Sequence, residues 1–422
     1  MLPCTVRWLA PDATLALLAP GTDDSFVMTA ARIGLNLLHA LPEIGGGWNY
    51  IERLVAALAD HVRDRELVLF VSPTSAEILP PHAGLRVERF ELDARSRGAR
   101  VWSEHTALLR RGRETGVQVM HHFAGTMPFR SAWGNVVSVH DLLVYENPRL
   151  YSLAKLAYLR AIMPYSLRRA DHLLPVSETT ATAVRERFGI SGERMTVVPA
   201  ALDDSFRPAS ADAVMRFRGR FALPDQFWLY VAHHYPHKNH EALLRAFASA
   251  AGPEWPLVLR GQGTESLREM AATLGIADRV HFLPPLDSAD MPTLFSAASA
   301  LVFPSLFEGG GIPVLEAMSC GCPVVGSDIP TTREFAGPAA RRFPPRDVDA
   351  LRTALREIEQ SAGQRSVMRA EGLARAERYR SAVVAEACLR AYDLAWESFT
   401  GQRDSRAATS AHRPSIPARQ TS

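Results

Sequence analysis

Short apolar runs alternate with amphipathic stretches along most of this chain. Such alternation is typical of α/β layers with parallel sheets. The apolar runs predict strands at residues 32–38, 66–71, 85–90, 117–121, 135–139 and 172–176, and at 228–232, 257–260, 280–283, 300–303 and 323–326. The amphipathic stretches predict helices at residues 50–61, 153–169, 178–188, 240–251, 265–274, 291–298 and 313–320.

The length of the chain indicates more than one domain. At 422 residues it is too long for one ordinary hydrophobic core, so two domains are the natural expectation. Residues 199–224 interrupt the alternation with prolines and aspartates, which predicts the join between the domains. We expect Rossmann-like domains at 32–210 and 211–375 that face each other across a cleft, with the ligand at the carboxyl ends of the strands. A last helix is expected at 365–399.

The two ends of the chain carry weaker patterns. Residues 1–31 form an extension before the first clear strand, and its apolar patch lacks the charged start and the cleavage site of a signal peptide. Met28 is an alternative translation start. Residues 400–422 are rich in Ser, Arg, Ala and Thr without periodicity, which predicts a disordered tail. No apolar run reaches the ~18 residues that a membrane-spanning helix needs.

Composition restricts the class of protein. Hydrophobic residues make up 47% and charged residues 22%, as is typical of a globular protein. The formal net charge of +2 gives no support to a nucleic-acid partner. Arginines nevertheless cluster at Arg95, Arg97 and Arg100, at Arg110, Arg111 and Arg113, and at Arg168 and Arg169. These clusters are either solvated helix faces or contacts to an anionic membrane surface or lipid phosphate.

The cysteines indicate a reducing compartment. Cys4, Cys320, Cys322 and Cys388 have no metal-ligand spacing, and we expect small buried thiols. The protein is therefore expected in the cytoplasm. Peripheral contact with the inner face of the plasma membrane stays open.

A glycine-rich turn in the second half is the most informative feature. A short apolar strand leads into Glu308, three glycines follow, and Pro313 suits the first turn of a helix. Glu316 lies about one turn into that helix. The backbone N–H groups of Gly309, Gly310, Gly311 and Ile312 lie at the N-terminus of this helix. An anion is favoured there by the helix dipole and by N–H groups that have no partner within the helix. An anion cradle with two carboxylates suits a ligand with phosphate and hydroxyl groups, such as a nucleotide sugar.

These residues carry a resemblance to a known family. Glu308, seven intervening residues and Glu316, followed by Ala317 and Met318, resemble the signature of the family 4 retaining glycosyltransferases of the GT-B fold. Further segments similar to that family follow in its order at residues 230–232, 236–239, 243–247, 257–263, 279–283 and 332–337. The resemblance covers roughly residues 30–399. It implies two Rossmann-like domains and a helix at 376–399 that crosses back onto the first domain.

The resemblance also implies a donor site. Lys238 is expected to neutralise the diphosphate of the donor as the nucleotide leaves. Glu308 is expected to bind hydroxyls of the transferred sugar, and Glu316 to bind both hydroxyls of the nucleotide ribose. Gly46 and Gly47 are expected to face the diphosphate across the cleft. Because these glycines lack the G-x-G-x-x-G spacing, NAD is a poor alternative.

Histidines and one further glutamate complete the predicted site. His140 follows a strand and is expected close to the donor sugar, with a structural histidine satisfied by neighbouring backbone as the alternative. His233 and His237 are additional candidate donors, although the family usually has arginine where His237 stands. Glu334 resembles a glutamate near the nucleotide pocket of the family.

The number of histidines raises the question of a metal site. His233 and His237 are four residues apart, but Pro236 between them indicates a loop and no carboxylate completes a ligand set. His121 and His122 end another strand and are expected to face the same cleft. The resemblance implies that no divalent ion is required, and no cofactor beyond a GDP- or UDP-linked nucleotide sugar as co-substrate.

These features predict a retaining glycosyltransferase. It would move a sugar, mannose by similarity, from a nucleotide sugar to a glycan or lipid-linked acceptor in cell-surface polysaccharide biosynthesis, such as that of lipopolysaccharide or exopolysaccharide. Another GT-B enzyme, for example a sugar-nucleotide epimerase or phosphorylase, would share the cleft and act without a sugar acceptor. A catalytically silent GT-B scaffold in a polysaccharide assembly complex is the third reading. It is motivated by Ala232 and His237, which depart from the family pattern.

Overall fold

The computed structural model describes residues 30–41, 46–78, 85–146, 148–249 and 252–411. Two parallel six-stranded sheets form its framework. The strands of the first sheet are β1 (Arg32–Leu37), β2 (Glu66–Val71), β3 (Leu85–Arg89), β4 (Val119–His122), β5 (Gly134–Val139) and β6 (His172–Pro175). Those of the second are β7 (Trp228–Val231), β8 (Leu257–Arg260), β9 (Val280–Phe282), β10 (Ala300–Phe303), β11 (Val324–Ser327) and β12 (Ala340–Phe343).

The two sheets share one topology. The order is β3-β2-β1-β4-β5-β6 in the first and β12-β11-β10-β7-β8-β9 in the second. Counted from its own first strand, each sheet has the order 3-2-1-4-5-6 of a Rossmann domain. In such a sheet the strand order reverses beside the first strand, and ligands bind outside the carboxyl ends of the strands there.

The predicted strands are confirmed, with bounds that differ by one or two residues at some ends. The central strands are buried along nearly their whole length, as expected in a parallel sheet, whereas the edge strands β3 and β9 are mostly half-buried or exposed. Strand β12 was not predicted. Only Phe343 is buried in it, and the two arginines before it are partly exposed, so no apolar run marks this strand.

Helices connect the strands. In the first domain they are α1 (Gly46–His61), α2 (Pro73–Ile78), α3 (Arg97–His105), α4 (Ala107–Glu114), α5 (Leu143–Glu146), α6 (Leu153–Arg169) and α7 (Glu178–Phe188). After the join they are α8 (Ala211–Phe221), α9 (His240–Ala248), α10 (Arg268–Thr273), α11 (Met291–Ala297), α12 (Ile312–Ser319), α13 (Pro330–Phe335), α14 (Val348–Gln360), α15 (Ala362–Ala376) and α16 (Ser381–Ala411).

The bounds of two predicted helices, α6 and α7, are confirmed. Serine side chains fix both starts, because Ser152 accepts from the N–H of Lys155 and Ser177 accepts from the N–H of Thr180. Helix α3 was not predicted, and it contains no buried residue. A helix without a buried face carries few apolar residues at helical spacing, so its sequence lacks the usual signal.

The prediction of one helix over residues 365–399 is wrong, because α15 and α16 are separate. Arg380 between them is extended, with φ −59° and ψ 148°. The N–H of Leu202 donates to the carbonyl of Tyr379 at 2.8 Å, and the N–H of Ser381 donates to the carbonyl of Leu202 at 3.1 Å. A distant segment at the domain join therefore pairs with the backbone that would otherwise continue the helix.

Helix α16 continues through residues 400–411, so the expectation of a disordered tail is wrong there. Residues 412–422 lie outside the described part of the chain, as do Cys4, Met28 and the rest of 1–29. The residue at which one domain ends and the next begins stays a prediction.

The first half of α16 packs against α1 and β5 of the first domain. Asp393 accepts two hydrogen bonds from the guanidinium of Arg65, both at 2.9 Å, and one from the N–H of Ala30 at 3.1 Å. Gly134, at the start of β5, lies so close that an added Cβ would be 2.8 Å from the carbonyl oxygen of Ala395. The last helix therefore belongs to the core of the first domain and ties the two ends of the chain together.

Two further expectations concern the interior. Cys320, Cys322 and Cys388 are buried free thiols, as predicted. No helix in the described ranges combines the length and the apolar character that crossing a membrane would require.

Candidate active site

A cleft of about 1340 Å³ lies between the two domains at the carboxyl ends of their strands. Residues that follow β1, β5, β7 and β10 line it, as the shared topology of the sheets requires. Of the residues predicted from sequence, the lining includes Gly47, His140, His233, His237, Lys238, Glu308, Gly309, Gly310, Gly311, Ile312 and Glu316. Gly46 is the first residue of α1, directly before Gly47. Gly45 lies outside the described residues.

Lys238 and Glu308 form an ion pair in this cleft. The ammonium of Lys238 donates to Oε1 of Glu308 at 2.6 Å, and the two side chains are 17% and 11% exposed. The hydroxyl of Tyr230 donates to the carbonyl of Lys238 at 2.6 Å, and the hydroxyl of Thr331 donates to the carbonyl of Glu308 at 2.5 Å. Strand β7 and helix α13 therefore hold the backbone of both members of the pair in place.

The residue after Lys238 sets the direction of this loop. Asn239 has φ +58°, a left-handed conformation that costs energy for a residue other than glycine. Its side-chain amide donates to the carbonyls of Pro304 at 3.2 Å and Pro345 at 3.3 Å. These bonds stabilise a turn that ends beside the start of α9 and points Lys238 towards the cleft.

The three glycines after Glu308 each meet a different requirement. An added Cβ on Gly309 would lie 2.7 Å from the carbonyl oxygen of His140 in the other domain, so only glycine fits there. Gly310 has nothing within 4 Å of an added Cβ, and it faces open space. Gly311 has φ +54° and precedes the first residue of α12. Because the N–H groups of these glycines donate to no other described residue, they are free to bind an anion.

Glu316 is buried and pairs with a residue of the first domain. Its carboxylate accepts a short hydrogen bond from the guanidinium of Arg53 on α1. The guanidinium also lies 4.9 Å from the ring centroid of Phe206, and its Nη1 is buried without a partner among the described residues. Burial lowers the pKa of the adjacent Arg260 at the end of β8, and the carboxylate of Glu316 opposes that shift.

His140 lies at the point where the domains meet. Its Nε2 donates to the carbonyl of Phe123 at 2.9 Å, and its ring packs edge-on against that of Tyr50 at 4.9 Å between centroids. Burial lowers the pKa of His140, and the Asp141 carboxylate opposes the shift. The ring is therefore held by backbone and also lines the cleft, and its place beside a donor sugar stays a prediction.

His233 and His237 lie on the loop that follows β7. The Nδ1 of His233 accepts from the N–H of Gln262 at 2.9 Å, so the proton of the neutral ring is on Nε2. His237 stacks on Tyr235 at 5.9 Å between centroids. Burial lowers the pKa of both histidines, and Lys238 lowers it further. Both rings therefore favour the neutral form and supply weaker anion contacts than the arginine that the family usually has at residue 237.

Glu334 does not reach the cleft lining. Its carboxylate accepts from the N–H groups of Glu178 at 2.6 Å and Thr179 at 3.0 Å, and from the Thr179 hydroxyl at 2.9 Å. It thereby caps the N-terminus of α7 in the other domain, where the helix dipole favours a negative charge. Burial raises the pKa of Glu334, and these hydrogen bonds oppose the shift.

The expectation that His121 and His122 face the cleft is wrong, since both are fully buried. His121 bonds to the hydroxyls of Tyr392 and Ser138, each at 2.8 Å, and stacks on Phe123. The amide of Asn36 lies 3.1 Å from Nδ1 of His122. Helix α16 covers His121 through Tyr392, a contact that no local pattern indicates, whereas His122 points to the other face of the sheet.

Sequence reasoning missed Arg53, Arg260 and His39 as residues of the cleft. Arg53 lies within an amphipathic helix, where an arginine is ordinarily solvated, and Arg260 lies within the family-like segment 257–263, to which no single role was assigned. His39 follows β1 at its carboxyl end, which is the signal that had identified His140. Within the described ranges, no group of three or more His, Cys, Asp or Glu side chains is placed to hold a metal ion.

Comparison with known families agrees with this geometry. The sequence profile of the glycosyl transferases group 1 matches residues 213–375, and that of glycosyltransferase family 4 matches residues 44–206. Together the two matches cover most of the chain. The chain belongs to the family 4 glycosyltransferases.

Individual relatives and solved structures agree with this assignment. The O-antigen chain mannosyltransferase B of Escherichia coli is 28% identical over 251 residues, 58% of this chain and 66% of the relative. The O-antigen chain mannosyltransferase RfbU of Salmonella typhimurium is 28% identical over 262 residues, 61% of this chain and 69% of the relative. This glycosyltransferase thus matches about two thirds of the length of each. The structure of HepE from Anabaena with UDP-glucose superposes with a TM-score of 0.69 at 19% identity, over 88% of this chain and 99% of that chain. This likeness shows the GT-B fold.

The buried histidines beside the cleft predict a loss of stability in acid. Burial lowers the pKa of His39 and of His122 to about 3, whereas the unfolded chain has values near 6.5. Below pH 6.5 the unfolded state therefore binds more protons, and stability falls as the pH decreases towards 3. Each histidine contributes roughly 1.4 kcal/mol per pH unit to this slope.

His122→Gln tests this effect. Urea unfolding is measured from pH 7.5 to 4.5. The unfolding free energy of the variant should fall less steeply with decreasing pH, by about 1.4 kcal/mol per pH unit, because one fewer proton binds on unfolding. His61→Gln on the surface of α1 is the matched control and should keep the slope of the wild type. Equal slopes for His122→Gln and the wild type would show that His122 titrates normally in the folded protein.

Proposed function

We propose that this glycosyltransferase transfers a sugar from a nucleotide-sugar donor held by the second domain to an acceptor held by the first, with retention of anomeric configuration. The observation that carries the proposal is the convergence of Lys238, Glu308, the three free glycine N–H groups and Glu316 on one cleft. A cation and N–H groups suit the phosphates of the donor, and one carboxylate each suits the hydroxyls of its sugar and of its ribose. Retention rests on the family membership.

Lys238 and the glycine turn supply the charge that a departing diphosphate needs. The ammonium of Lys238 and the N–H groups of Gly309, Gly310 and Gly311 lie at the start of α12, where the helix dipole adds a partial positive charge. Groups fixed in this way stabilise charge as it develops on the leaving nucleoside diphosphate. His233 and His237 add hydrogen-bond donors beside them, and Gly46 and Gly47 let the backbone of α1 approach from the opposite wall.

The two glutamates bind the sugar and the ribose of the donor. Glu308 accepts hydrogen bonds from hydroxyls of the sugar, and its pair with Lys238 keeps the carboxylate oriented. Glu316 accepts both hydroxyls of the ribose. Since Arg53 pairs with Glu316, ribose binding requires Arg53 to move or to share the carboxylate. Its unpartnered Nη1 makes Arg53 a further candidate for the diphosphate.

The sugar itself contacts the junction between the domains. His140 is expected beside it, because the carbonyl of His140 touches Gly309 and its ring lines the same cleft. Glu334 takes no direct part; it supports the site by holding α7 and α13 together. The proposal requires no metal ion and no cofactor beyond the nucleotide sugar.

The relatives support one choice of donor and acceptor. Two relatives are named as O-antigen mannosyltransferases, and HepE was solved with UDP-glucose. We therefore favour GDP-mannose over UDP-linked sugars, and a glycan or lipid-linked acceptor in cell-surface polysaccharide synthesis. Such a reaction would take place in the cytoplasm, where nucleotide sugars are made.

Nucleotide binding is the first test. GDP, UDP, ADP and dTDP are compared by thermal unfolding with the wild type and with Glu316→Ala. A nucleotide present at 100 times its dissociation constant should stabilise the wild type by about 2.7 kcal/mol. The nucleotide that does so names the base, and Glu316→Ala should reduce its effect because the ribose loses its acceptor.

Glu371→Ala, an exposed carboxylate on α15 of the same domain, is the control and should respond like the wild type. If no nucleotide stabilises the folded wild type, the donor site is refuted and the scaffold reading replaces it.

Lys238→Gln separates catalysis from binding. The amide keeps a hydrogen bond to Glu308 but loses the charge, so turnover should fall by about 100-fold or more while nucleotide affinity changes less. The release of nucleoside diphosphate from the identified donor measures turnover without knowledge of the acceptor. Arg245→Gln, an exposed residue on α9, should leave it unchanged. Turnover within about twofold of the wild type in Lys238→Gln would contradict the role of Lys238.

Peripheral contact with a membrane is the remaining element of the proposal. Trp102, Phe129 and Leu153 are large apolar side chains that are 71%, 57% and 85% exposed. Phe129 packs on His105 of α3 and on Tyr165 of α6, the two helices that carry Trp102 and Leu153. We refer to these three exposed groups of the first domain as the rim. Exposed apolar groups beside basic residues are typical of a surface that binds anionic membranes.

Co-sedimentation with phosphatidylglycerol vesicles tests this contact. The double variant Trp102→Ser and Leu153→Ser should lower the bound fraction severalfold, because it removes apolar area from the rim. Met215→Ser, equally exposed on the second domain, is the control. Equal binding of all three proteins, or none by the wild type, would refute the membrane contact.

A further inference from the structure

The wall of the cleft opposite the donor groups carries a cluster of cations, three of which lie on helices α3 and α6. Arg97 and Arg100 come from α3, and Lys155 comes from the first turn of α6. Tyr151 and Tyr158 line the cleft beside them, and the ammonium of Lys155 lies 5.0 Å from the ring centroid of Tyr151. The donor groups Lys238, Glu308 and Glu316 belong to the other domain, so the proposed donor leaves these cations unused.

Within the described part of the chain, none of these three cations forms an ion pair with a carboxylate. Burial lowers the pKa of Lys155, and the charges of Arg97 and Arg100 lower it further, while Asp141 opposes the shift. The carboxylate of Glu104 is close to Arg100, but burial raises its pKa and weakens it as a counterion. Cations that repel one another in a concave wall are stabilised by an anionic ligand.

A buried histidine gives a second, independent indication of a ligand. His39 follows β1, lines the same cleft and is only 8% exposed. Its Nδ1 is buried and has no hydrogen-bond partner among the described residues. Since an unpaired buried polar atom destabilises the folded chain, a ligand hydroxyl or phosphate oxygen that hydrogen-bonds to His39 would offset that cost.

We propose that Arg97, Arg100 and Lys155, with His39, form a subsite for a phosphate or diphosphate group of the acceptor. The inference rests on the proposed glycosyl transfer, because it assigns the acceptor side of the same cleft. A phosphate ester carries several charged oxygens and matches three converging cations, of which the two guanidiniums can each bind two oxygens. An anchor on this wall would direct the acceptor hydroxyl towards the donor sugar.

Two sources can supply such a group, a lipid-linked diphosphate or a soluble phosphate ester. Exposed Leu153 lies two residues before Lys155, and exposed Trp102 lies two residues after Arg100. Residues two apart on a helix point to different sides, so these apolar groups lie outside the subsite, on the same two helices that carry its cations, where the tail of a lipid-linked acceptor would leave it. The shared chemistry is the phosphate, and the experiment below separates the two sources.

Calorimetric titration of the full chain tests the subsite. Farnesyl diphosphate and inorganic pyrophosphate are titrated with the donor site saturated by the stabilising nucleoside diphosphate, so that neither probe can bind there. We expect Arg97→Gln and Lys155→Gln each to weaken the binding of both probes by about tenfold, since each removes a charged hydrogen bond. Arg113→Gln on α4, an exposed arginine outside the cleft lining, should change the affinity by less than twofold.

The affinities of the two probes identify the source. A lipid-linked acceptor is indicated if farnesyl diphosphate binds at least tenfold more tightly than pyrophosphate and if Leu153→Ser removes this difference. Equal affinities indicate a soluble phosphate ester. Either result supports the subsite.

Three results overturn the inference. One is the absence of binding of either probe to the wild type, and another is an equal loss of affinity in Arg113→Gln. The third is that Arg97→Gln and Lys155→Gln bind phosphatidylglycerol vesicles less well but keep their affinity for both probes. The cations would then serve a membrane surface.

The donor site is measured separately, by the nucleotide dependence of thermal unfolding in the same variants. Unchanged nucleotide binding with unchanged probe affinities refutes the subsite and leaves the glycosyltransferase proposal intact. If no nucleotide binds the wild type, the proposed function fails, and the titration without nucleotide still decides whether the cations bind phosphate.

Discussion

The contact between the two domains is the constraint on which the cleft depends. Its centre is the ion pair of Arg53 and Glu316, both largely withdrawn from water. A buried pair is costly to desolvate, and removal of one partner leaves the other charge uncompensated. Glu316 is therefore satisfied either by Arg53 or by a ligand. Such an exchange would make domain closure sensitive to nucleotide.

Two further contacts fix the distance between the domains. The carbonyl of His140 lies against Gly309, where a Cβ would not fit, and Glu334 caps α7 across the same junction. Helix α16 also connects the domains through the chain itself. It follows α15 of the second domain, starts beside the join and packs into the core of the first domain. The walls that we propose for donor and acceptor are thereby held face to face, with cationic side chains on both.

Much of this arrangement was readable from local patterns. The apolar runs predicted the strands because a strand buried on both faces must be apolar along its length. The glycine turn between Glu308 and Glu316, followed by Pro313, predicted an anion-binding helix start, since each element of that signal lies within a few residues. Lys238 and His140 were found for the same reason, as both follow a strand whose carboxyl end faces the ligand.

The sequence by itself thus determined the two Rossmann sheets and most of the donor-side residues, because period, turn chemistry and strand ends are local properties. Only the tertiary structure decided the partner of Glu316, the capping role of Glu334, the burial of His121 and the break after α15. Each depends on a residue more than a hundred positions away, such as Arg53, Thr179, Tyr392 and Leu202. Contacts across that separation are fixed by how the domains pack, and no local pattern encodes them.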